Sequence, residues 1–387
     1  MERLAAARAL TTPRIAVRAS APATGYSFAL AGRDDDSEIR RLLRDAEFPG
    51  DIRIAFEREP DALSAGAQEG GLHQTIVARQ GTIPDITAIA TRSVRQRFVN
   101  GEEHPVGYLS QLRIAPGYRR HRRLLDAGFD YCRRLHQDDA ARVYLASVVA
   151  DNAAALKLLS RQAPGWPRFR PVATLTTLAI PVRHGLPAAA PRATHSNEDV
   201  QRAIGCLLRN GPRFQFSPVW AADAFDGSTP GLSRAAVRIA ERNGHVVGCA
   251  ALWDQRAFRQ VVVRGYSRRL AMSRLLVNAT ARWTGMPTLP PIGSRLEFGY
   301  VSHLAVDDDD PDVACALIAA VCDSARLQGL DYVAVGLPAD APMTAAVRTR
   351  LCHRAYQSIL HVAFWPDGED IVNRLDGRPY LPELGTL

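Results

Sequence analysis

The 387-residue sequence predicts an α/β fold in two tandem domains, the second a degenerate copy of the first. The eight residues from Gly107, GYLSQLRI, recur from Gly299 as GYVSHLAV, about half a chain later. On both sides of the midpoint, strands and helices are predicted in the same order. Because this repeat is far longer than one unit of a solenoid, it indicates a duplicated domain.

A Pro/Ala-rich stretch sets the predicted domain boundaries. The composition of residues 186–191 is typical of a linker, so we place a first domain at 26–185, a linker at 186–194 and a second domain at 195–387. The Arg/Ala-rich residues 1–25 are expected to form a disordered leader.

Each half is predicted to contain the same succession of elements. An amphipathic helix comes first, at 37–44 and at 197–209, with Asn197 as the predicted N-cap of the second. A strand entering a turn follows at 76–81 and 239–244. The apolar spacing then predicts strands 86–92 and 246–253, the two Gly-Tyr strands, helices 124–135 and 313–327, strands 142–149 and 332–337, and helices 152–161 and 343–354.

The second half carries an insert before its Gly-Tyr strand. The insert is predicted to contain a helix at 267–283 and a proline-rich loop at 287–293. Its apolar run at 275–277 is expected to be covered by the rest of the chain, since large apolar patches are rarely left exposed. We therefore expect the two halves to form one rigid body.

Composition limits the function classes. The hydrophobic content of 47% and charged content of 23% are typical of a globular protein. The net charge of +8 favours anionic partners such as nucleotides. Because the aromatic interleaving of single-strand binders is missing, we do not expect a nucleic-acid partner. No run of about 20 apolar residues occurs, so a membrane is not an expected partner either.

The six cysteines are predicted to be free thiols of a cytoplasmic protein. None stands in a Cys-x-x-Cys pair. Cysteines without such spacing neither build a zinc site nor form a disulfide framework in a reducing compartment. We therefore expect no metal.

The turns that follow the two Gly-Tyr strands differ in charge. After the first strand, Pro116-Gly117 leads into a run of arginines at 119–123 and then a helix. Unpaired amides at a helix start bind phosphate, and arginine adds bidentate contacts; a solvated surface turn is the alternative. After the second strand stand four aspartates at 307–310, which would repel an anion. We therefore expect one anion site in the chain.

Two motifs resemble the GNAT superfamily of acyl-CoA-dependent N-acyltransferases. The segment after Ile114 resembles its pyrophosphate motif, Gln/Arg-x-x-Gly-x-Gly/Ala, with Arg119 at the first position and Arg122 and Leu124 at the glycine positions. The segment ADNAAALKLL resembles the superfamily's N-x-x-A-x-x-L-Y helix, with Asn152 at the asparagine and Leu159 at the tyrosine. The resemblance covers about residues 26 to 183, and in the second half only the order of elements.

The resemblance implies the fold, the co-substrate and the site. Each domain would hold a central mixed, mostly antiparallel sheet flanked by helices. The first domain would transfer an acyl group, expected to be acetyl from acetyl-CoA, to a small-molecule or peptide amine; a catalytically inactive GNAT-like binding or regulatory protein is the alternative. The implied cofactor-binding residues are Leu112, Arg113, Ile114, Arg119, Arg120, His121, Arg122, Arg123, Leu124 and Asn152.

Catalysis in such a fold needs a gap between strands and a proton acceptor. The strand at 108–113 would diverge from its neighbour at 142–149, and the thioester carbonyl would lie in the gap on a backbone amide. The candidates for the base are Glu57, Glu59 and Asp61, which otherwise belong to a solvated acidic turn. Tyr108 and Tyr144 are candidate proton donors, with an ordinary core tyrosine as the alternative for each.

Overall fold

The computed structural model describes residues 25–81, 83, 85–119, 121–182, 191–194, 196–284 and 288–387. Almost all of the predicted leader, residues 186–190 of the predicted linker and the candidate Arg120 therefore lie outside the described residues. The strands are β1 (Tyr26–Leu30), β2 (Ile52–Glu57), β3 (Leu72–Gln80), β4 (Ile86–Val99), β5 (Glu102–Ile114), β6 (Val143–Val149), β7 (Arg168–Pro181), β8 (Arg192–Ala193), β9 (Val237–Arg242), β10 (His245–Trp253), β11 (Gln260–Tyr266), β12 (Phe298–Val306), β13 (Tyr332–Pro338) and β14 (Arg354–Phe364).

The helices pack on both halves of the sheet and follow the predicted apolar spacing. The predicted helices 124–135 and 313–327 are confirmed as α3 and α7. The predicted N-cap Asn197 is wrong by one residue, because Ser196 accepts the hydrogen bond from the Asp199 amide at 3.1 Å. The helices are α1 (Asp36–Asp45), α2 (Ala62–Gly66), α3 (Arg122–His136), α4 (Ala153–Leu159), α5 (Asn197–Asn210), α6 (Arg268–Thr284), α7 (Pro311–Leu327), α8 (Pro342–Arg350) and α9 (Glu369–Asn373).

Twelve strands form one mixed sheet in the order β1-β3-β4-β5-β6-β14-β7-β13-β12-β10-β9-β8. Strands β2 and β11 form a separate antiparallel ribbon. This mixed α/β architecture confirms the predicted fold class. The order mirrors itself about the centre, where β14 pairs with β6 and β7 pairs with β13. The last strand of each half therefore pairs with a strand of the other half, β7 with β13 and β14 with β6.

The repeated phrase produces the same backbone irregularity in both halves. Gln111 in β5 and His303 in β12 occupy the same position of the phrase and have φ angles of 51° and 53°. The ladders from β4 to β5 and from β10 to β12 shift register at these residues. Positive φ is uncommon for residues other than glycine and is a mark of β-bulges. The sequence repeat is thus also a repeat of a bulge.

Close packing explains the glycine that opens each phrase. A Cβ atom on Gly107 would overlap the ring of Tyr144 on β6. A Cβ atom on Gly299 would lie 2.8 Å from Cδ1 of Leu252 on β10, closer than real Cβ contacts allow. Glycine at these positions lets a neighbouring side chain lie directly against the strand.

Residues 374–387 pack against both halves at the centre of the molecule. The buried side chain of Arg97 on β4 donates to the carbonyls of Phe216 and Pro382 at 2.9 Å and to Oγ1 of Thr386 at 3.0 Å. Gln215 and Tyr380 form an isolated parallel β-bridge. The C-terminal segment is therefore held by hydrogen bonds from the first half as well as the second.

The insert is not covered as expected. Leu275 and Leu276 of α6 stand on the surface of the described structure.

Across the described residues, no helix is both long and apolar enough to cross a membrane, and no group of three metal-ligating side chains is found.

Candidate functional site

Strands β5 and β6 separate after a very short ladder. They pair in parallel only at Gly107 with Tyr144 and at Tyr108 with Leu145. Beyond these residues β5 stays paired with β4, and β6 stays paired with β14. The expected gap between the two strands is therefore present, and the exposed apolar Leu112 belongs to its β5 side.

The start of α3 carries exposed arginines and no side-chain cap. The residue before the helix, His121, makes no capping hydrogen bond to the first turn, and its Nδ1 contacts the hydroxyl of Tyr26 instead. Arg119, Arg122 and Arg123 are exposed around this turn. A helix start without a side-chain cap and exposed guanidinium groups together suit a phosphate.

The counterpart in the second half is closed by its own carboxylates. Asp310 accepts from the amides of Asp312 at 2.9 Å and Val313 at 3.3 Å, which caps α7. The acidic loop is neutralised locally, since Asp307 pairs with Arg209, Asp309 with Arg213 and Asp310 with Arg242. An anion at this helix start would have to displace the Asp310 carboxylate.

Several predicted cofactor residues turn their side chains into the protein. Leu124 is buried in the core cluster against which Ile114 also packs. The guanidinium of Arg113 lies 4.6 Å from the centre of the Phe48 ring, and its burial beside Arg58 lowers the pKa of Arg113 to about 10. The side chains of these three residues are therefore engaged within the protein.

Asn152 acts as the N-cap of α4. Its Oδ1 accepts from the amide of Ala155 at 3.1 Å. The side chain is thus fixed at the start of the helix that directly follows β6, close in sequence to the exposed Val149 on that strand. The structure therefore shows Asn152 as a helix cap, and the cofactor-binding role that the resemblance implies for it stays a prediction.

All three acidic candidates for the base are bound to other groups of the protein. Glu57 is buried and pairs with Arg264 of β11. Glu59 pairs with Arg40 at 2.5 Å and Arg44 at 2.9 Å; these bonds outweigh the effect of burial and lower the pKa of Glu59. A carboxylate held in this way is a weak base.

Asp61 caps a helix. Its carboxylate accepts from the amides of Leu63 and Ser64, both at 2.9 Å. The hydroxyl of Ser64 also donates to it, and these bonds lower the pKa of Asp61. Asp61 is therefore held by hydrogen bonds as Glu57 and Glu59 are held by ion pairs, and it is likewise a weak base.

Tyr144 is a core tyrosine with a satisfied hydroxyl. Its Oη receives hydrogen bonds from Arg92 at 3.2 Å and lies 2.8 Å from Nδ1 of His136. Arg92 in turn forms two bonds of 2.7 and 2.8 Å with Asp138. Burial raises the pKa of Tyr144. Its hydroxyl is thus committed to a buried network.

Tyr108 is the candidate that stands at the branch point of the gap. It forms the last pair of the β5–β6 ladder, and its side chain packs beside Leu145 and Phe216. Tyr108 therefore stands where β5 and β6 separate, and its catalytic role stays a prediction.

A cavity in the second half was not predicted. The β12–β13 ladder ends at Tyr300 and Ala334, and a cavity of about 250 Å³ opens beside the strand ends. Its ionisable lining groups are Asp309, Asp340 and Glu383, and none of its lining residues is basic. Its apolar walls include Phe214, Trp220, Leu304, Val306, Leu337 and Met343.

Glu383 is the carboxylate of this cavity best suited to accept a proton. It accepts from the amide of the bulge residue His303 at 3.1 Å and from Gly385 at 3.3 Å. Burial raises the pKa of Glu383 to about 7, although the charges of Arg97 and Arg95 pull it downwards. The sequence around Glu383 carries no motif, so only the fold reveals this residue.

Comparisons with known proteins agree with the observed fold. No family model matches the sequence, and no curated protein matches it. The structure is similar to Saccharomyces cerevisiae N-myristoyltransferase with bound myristoyl-CoA, with a TM-score of 0.58 and 14% identity over 90% of this chain and 85% of that chain. It is also similar to a GCN5-related N-acetyltransferase from Sphaerobacter thermophilus, with a TM-score of 0.55 and 14% identity over 89% and 96% of the chains.

A third similar structure is a GCN5-related glucosamine N-acetyltransferase region of a fungal multi-domain β-N-acetylglucosaminidase. Its TM-score is 0.58, with 14% identity over 89% of this chain and 38% of that one. At this identity the likeness concerns the fold. The chain therefore shares the fold of these N-myristoyltransferase and N-acetyltransferase structures.

Proposed function

We propose that the chain is an acyl-CoA-dependent N-acyltransferase whose acyl-CoA lies between β5 and β6. The observation that carries this proposal is the β5–β6 ladder, which ends after two residue pairs. The likeness to an N-myristoyltransferase with bound myristoyl-CoA supports it. Acetyl-CoA is the first donor to test, and myristoyl-CoA is the second.

The parts of acyl-CoA meet different groups. The phosphates lie at the start of α3, against its amides and Arg119, Arg122 and Arg123. The pantetheine arm follows the β5 backbone from Leu112 towards Ile114 and reaches Asn152. The thioester carbonyl accepts a hydrogen bond from the backbone at the Gln111 bulge, where the oxyanion develops.

The acceptor is an organic amine that enters from the second-half cavity. Its ammonium is attracted by the carboxylates of Asp340 and Glu383, since that of Asp309 is already paired with Arg213, and its apolar part meets the cavity walls. Arg97 donates to the carbonyl of Pro382, the residue before Glu383, and to the carbonyl of Phe216, which belongs to the same core cluster as Tyr108. These contacts support placing the acceptor cavity near the gap.

The reaction then needs three proton transfers between substrate and protein. Glu383 takes a proton from the ammonium, and the free amine attacks the thioester carbon. The tetrahedral intermediate collapses and the C–S bond breaks while Tyr108 donates a proton to the departing thiolate. The nitrogen gives its second proton to the Tyr108 phenolate and Glu383 returns its proton to solvent, so that the products are the acylated amine and CoA.

A thiol-release assay tests the proposal. The chain is mixed with acetyl-CoA or myristoyl-CoA and with a panel of small amines and peptides, and free CoA is followed together with mass spectrometry of the amine. Amine-dependent CoA release is expected. Saturable CoA binding without release for any amine would favour the GNAT-like binding or regulatory protein instead, and absence of CoA binding would overturn both.

A further inference from the structure

The outer face of α6 exposes large apolar side chains in one row. Met272 is 80% exposed, Leu275 85%, Leu276 69% and Trp283 81%. On a helix with about 100° between successive residues, these four side chains lie within an arc of about 100°. We call them the α6 apolar row.

The opposite face of α6 fixes this orientation. Ala281 is buried against the body of the protein. Asn278 donates to the carbonyl of Leu289 at 3.1 Å and accepts from its amide at 2.7 Å. The guanidinium of Arg274 lies 5.3 Å from the centre of the Tyr266 ring. Because these contacts use the inner face, the α6 apolar row is left facing outwards.

The charged residues of α6 are all basic. The helix contains four arginines and no acidic residue. Arg268 and Arg269 are exposed at its N-terminal end, and by helical spacing they lie on the same side as the α6 apolar row. A face that combines large apolar side chains with arginines is complementary to a surface that is apolar beneath and anionic on top.

We propose that α6 docks on an anionic lipid surface, lying in the plane of the interface. The apolar row enters the boundary between headgroups and acyl chains, and the arginines contact lipid phosphates. A second copy of the chain fits less well, because it would bring like charges together on a chain of net charge +8. The inference is independent of the proposed catalysis and departs from the expectation that a membrane is no partner.

Trp283 gives a direct readout. The other four tryptophans, at 166, 220, 253 and 365, are buried, so quenching by aqueous acrylamide reports mainly on Trp283. Vesicles of phosphatidylcholine with phosphatidylglycerol are expected to shift the emission to the blue and to protect it from acrylamide. Vesicles of phosphatidylcholine alone are expected to do so weakly, and Trp283→Phe should remove the signal.

Flotation of the full chain with the same vesicles completes the test. Leu275→Ser with Leu276→Ser is expected to lower partitioning on the order of tenfold or more, since binding scales with buried apolar area. The matched control replaces the exposed Leu208 and Leu327 with Ser and should leave partitioning unchanged. Soluble glycerophosphate should not compete, whereas full competition would mean a simple phosphate site.

Two outcomes would overturn the proposal. One is an unchanged Trp283 emission and no flotation with anionic vesicles. The other is a dimer by light scattering that the Leu275 and Leu276 substitutions dissociate, because the row would then be covered by a second copy. Thermal melting of each variant shows whether the fold is intact, and substitutions at such exposed positions are expected to leave it so.

Discussion

The arginines at the start of α3 have few partners within the protein, whereas the aspartates at the start of α7 are bound by their own arginines. We expect Arg119→Ala with Arg122→Ala to weaken CoA binding by several tens-fold, since each charge-assisted bond contributes about 1.5–3 kcal/mol before solvent screening. A pantetheine analogue without phosphates should bind almost as well as it does to the unaltered chain. Isothermal titration calorimetry measures both ligands.

Arg133→Ala with Arg326→Ala is the matched control for charge. Both arginines are exposed near the C-terminal ends of helices, Arg133 on α3 and Arg326 on α7. This variant should bind CoA normally. Equal losses for CoA and the phosphate-free analogue in the Arg119 and Arg122 variant would show that the arginines belong to a solvated turn.

The raised pKa of Glu383 gives a prediction about pH. The folded value of about 7 lies above the unfolded value of about 4.3. The protonated form is therefore favoured by folding, and this contribution is present at low pH and is lost as pH rises from about 4.3 to about 7. Glu383→Gln should lose less stability than the unaltered chain between pH 4.5 and pH 8, by up to about 3 kcal/mol. Urea unfolding at the two pH values measures the difference.

The same substitution separates chemistry from stability. If Glu383 takes the proton of the ammonium, acyl transfer should rise as pH passes through about 7. Glu383→Gln should remove most transfer and leave CoA affinity unchanged. Full activity in Glu383→Gln would assign the base to another group.

At the scale of the element, α3 and α7 differ at their first turns. The Asp310 carboxylate binds the first amides of α7, whereas the start of α3 has no side-chain cap and is the proposed phosphate site. Asp310→Ala removes two hydrogen bonds to first-turn amides and should lower the free energy of unfolding by about 1–2 kcal/mol. Asp308→Asn removes an acid that makes no ion pair within the described residues, and it should change stability little. Urea titration of both variants gives the comparison.

Calorimetry of CoA on the unaltered chain should also give one site per chain. The reason is that the amides of α7 are already bonded to Asp310. Two equivalent sites would contradict this account of the two helix starts.

Helices and the repeated strand could be predicted because their signals are local. The apolar spacing of α3 and α7 lies within each helix, and the repeated phrase lies within a single strand, although its bulge was not predicted. The places of β7 and β14 could not be predicted, because their partners lie far away in the sequence and period-2 patterns do not say which strands pair.

The sequence indicates candidate site residues only where a motif contains them. The arginine loop and Asn152 stand in contiguous motifs. The partners of Glu57 and Glu59 come from other elements, so their sequence shows an acidic turn and not an ion-paired one. Glu383 gains its raised pKa from burial against the bulge of a strand 80 residues earlier, which no local pattern contains.

At the scale of the whole molecule, the central strands bind the halves together. Without the second half, β6 and β7 lose β14, which pairs with β7 along its length and with β6 from Ser358 to Phe364. We expect a chain of residues 26–185 expressed alone to aggregate or to remain incompletely folded, since it would expose long unpaired edges. Co-expression with residues 186–387 should restore a soluble 1:1 complex. Size-exclusion chromatography with light scattering and circular dichroism measure the result.

Full folding of both separate pieces as soluble monomers would contradict this expectation. It would mean that β14 and β7 add little to the stability of the neighbours they join. The tandem halves would then behave as independent domains.

The central position of β14 also bears on synthesis at the ribosome. Strand β6 leaves the ribosome long before β14, which is translated near the end of the sequence. At ordinary rates of about 5–20 residues per second, the first half waits roughly 10–40 s for its missing strand. During that time its open edge is available to any other extended chain, including a neighbouring nascent copy. Chaperones that cover such edges, and codons that set the pace of translation between the halves, should therefore affect the yield of this protein more than its final stability would suggest.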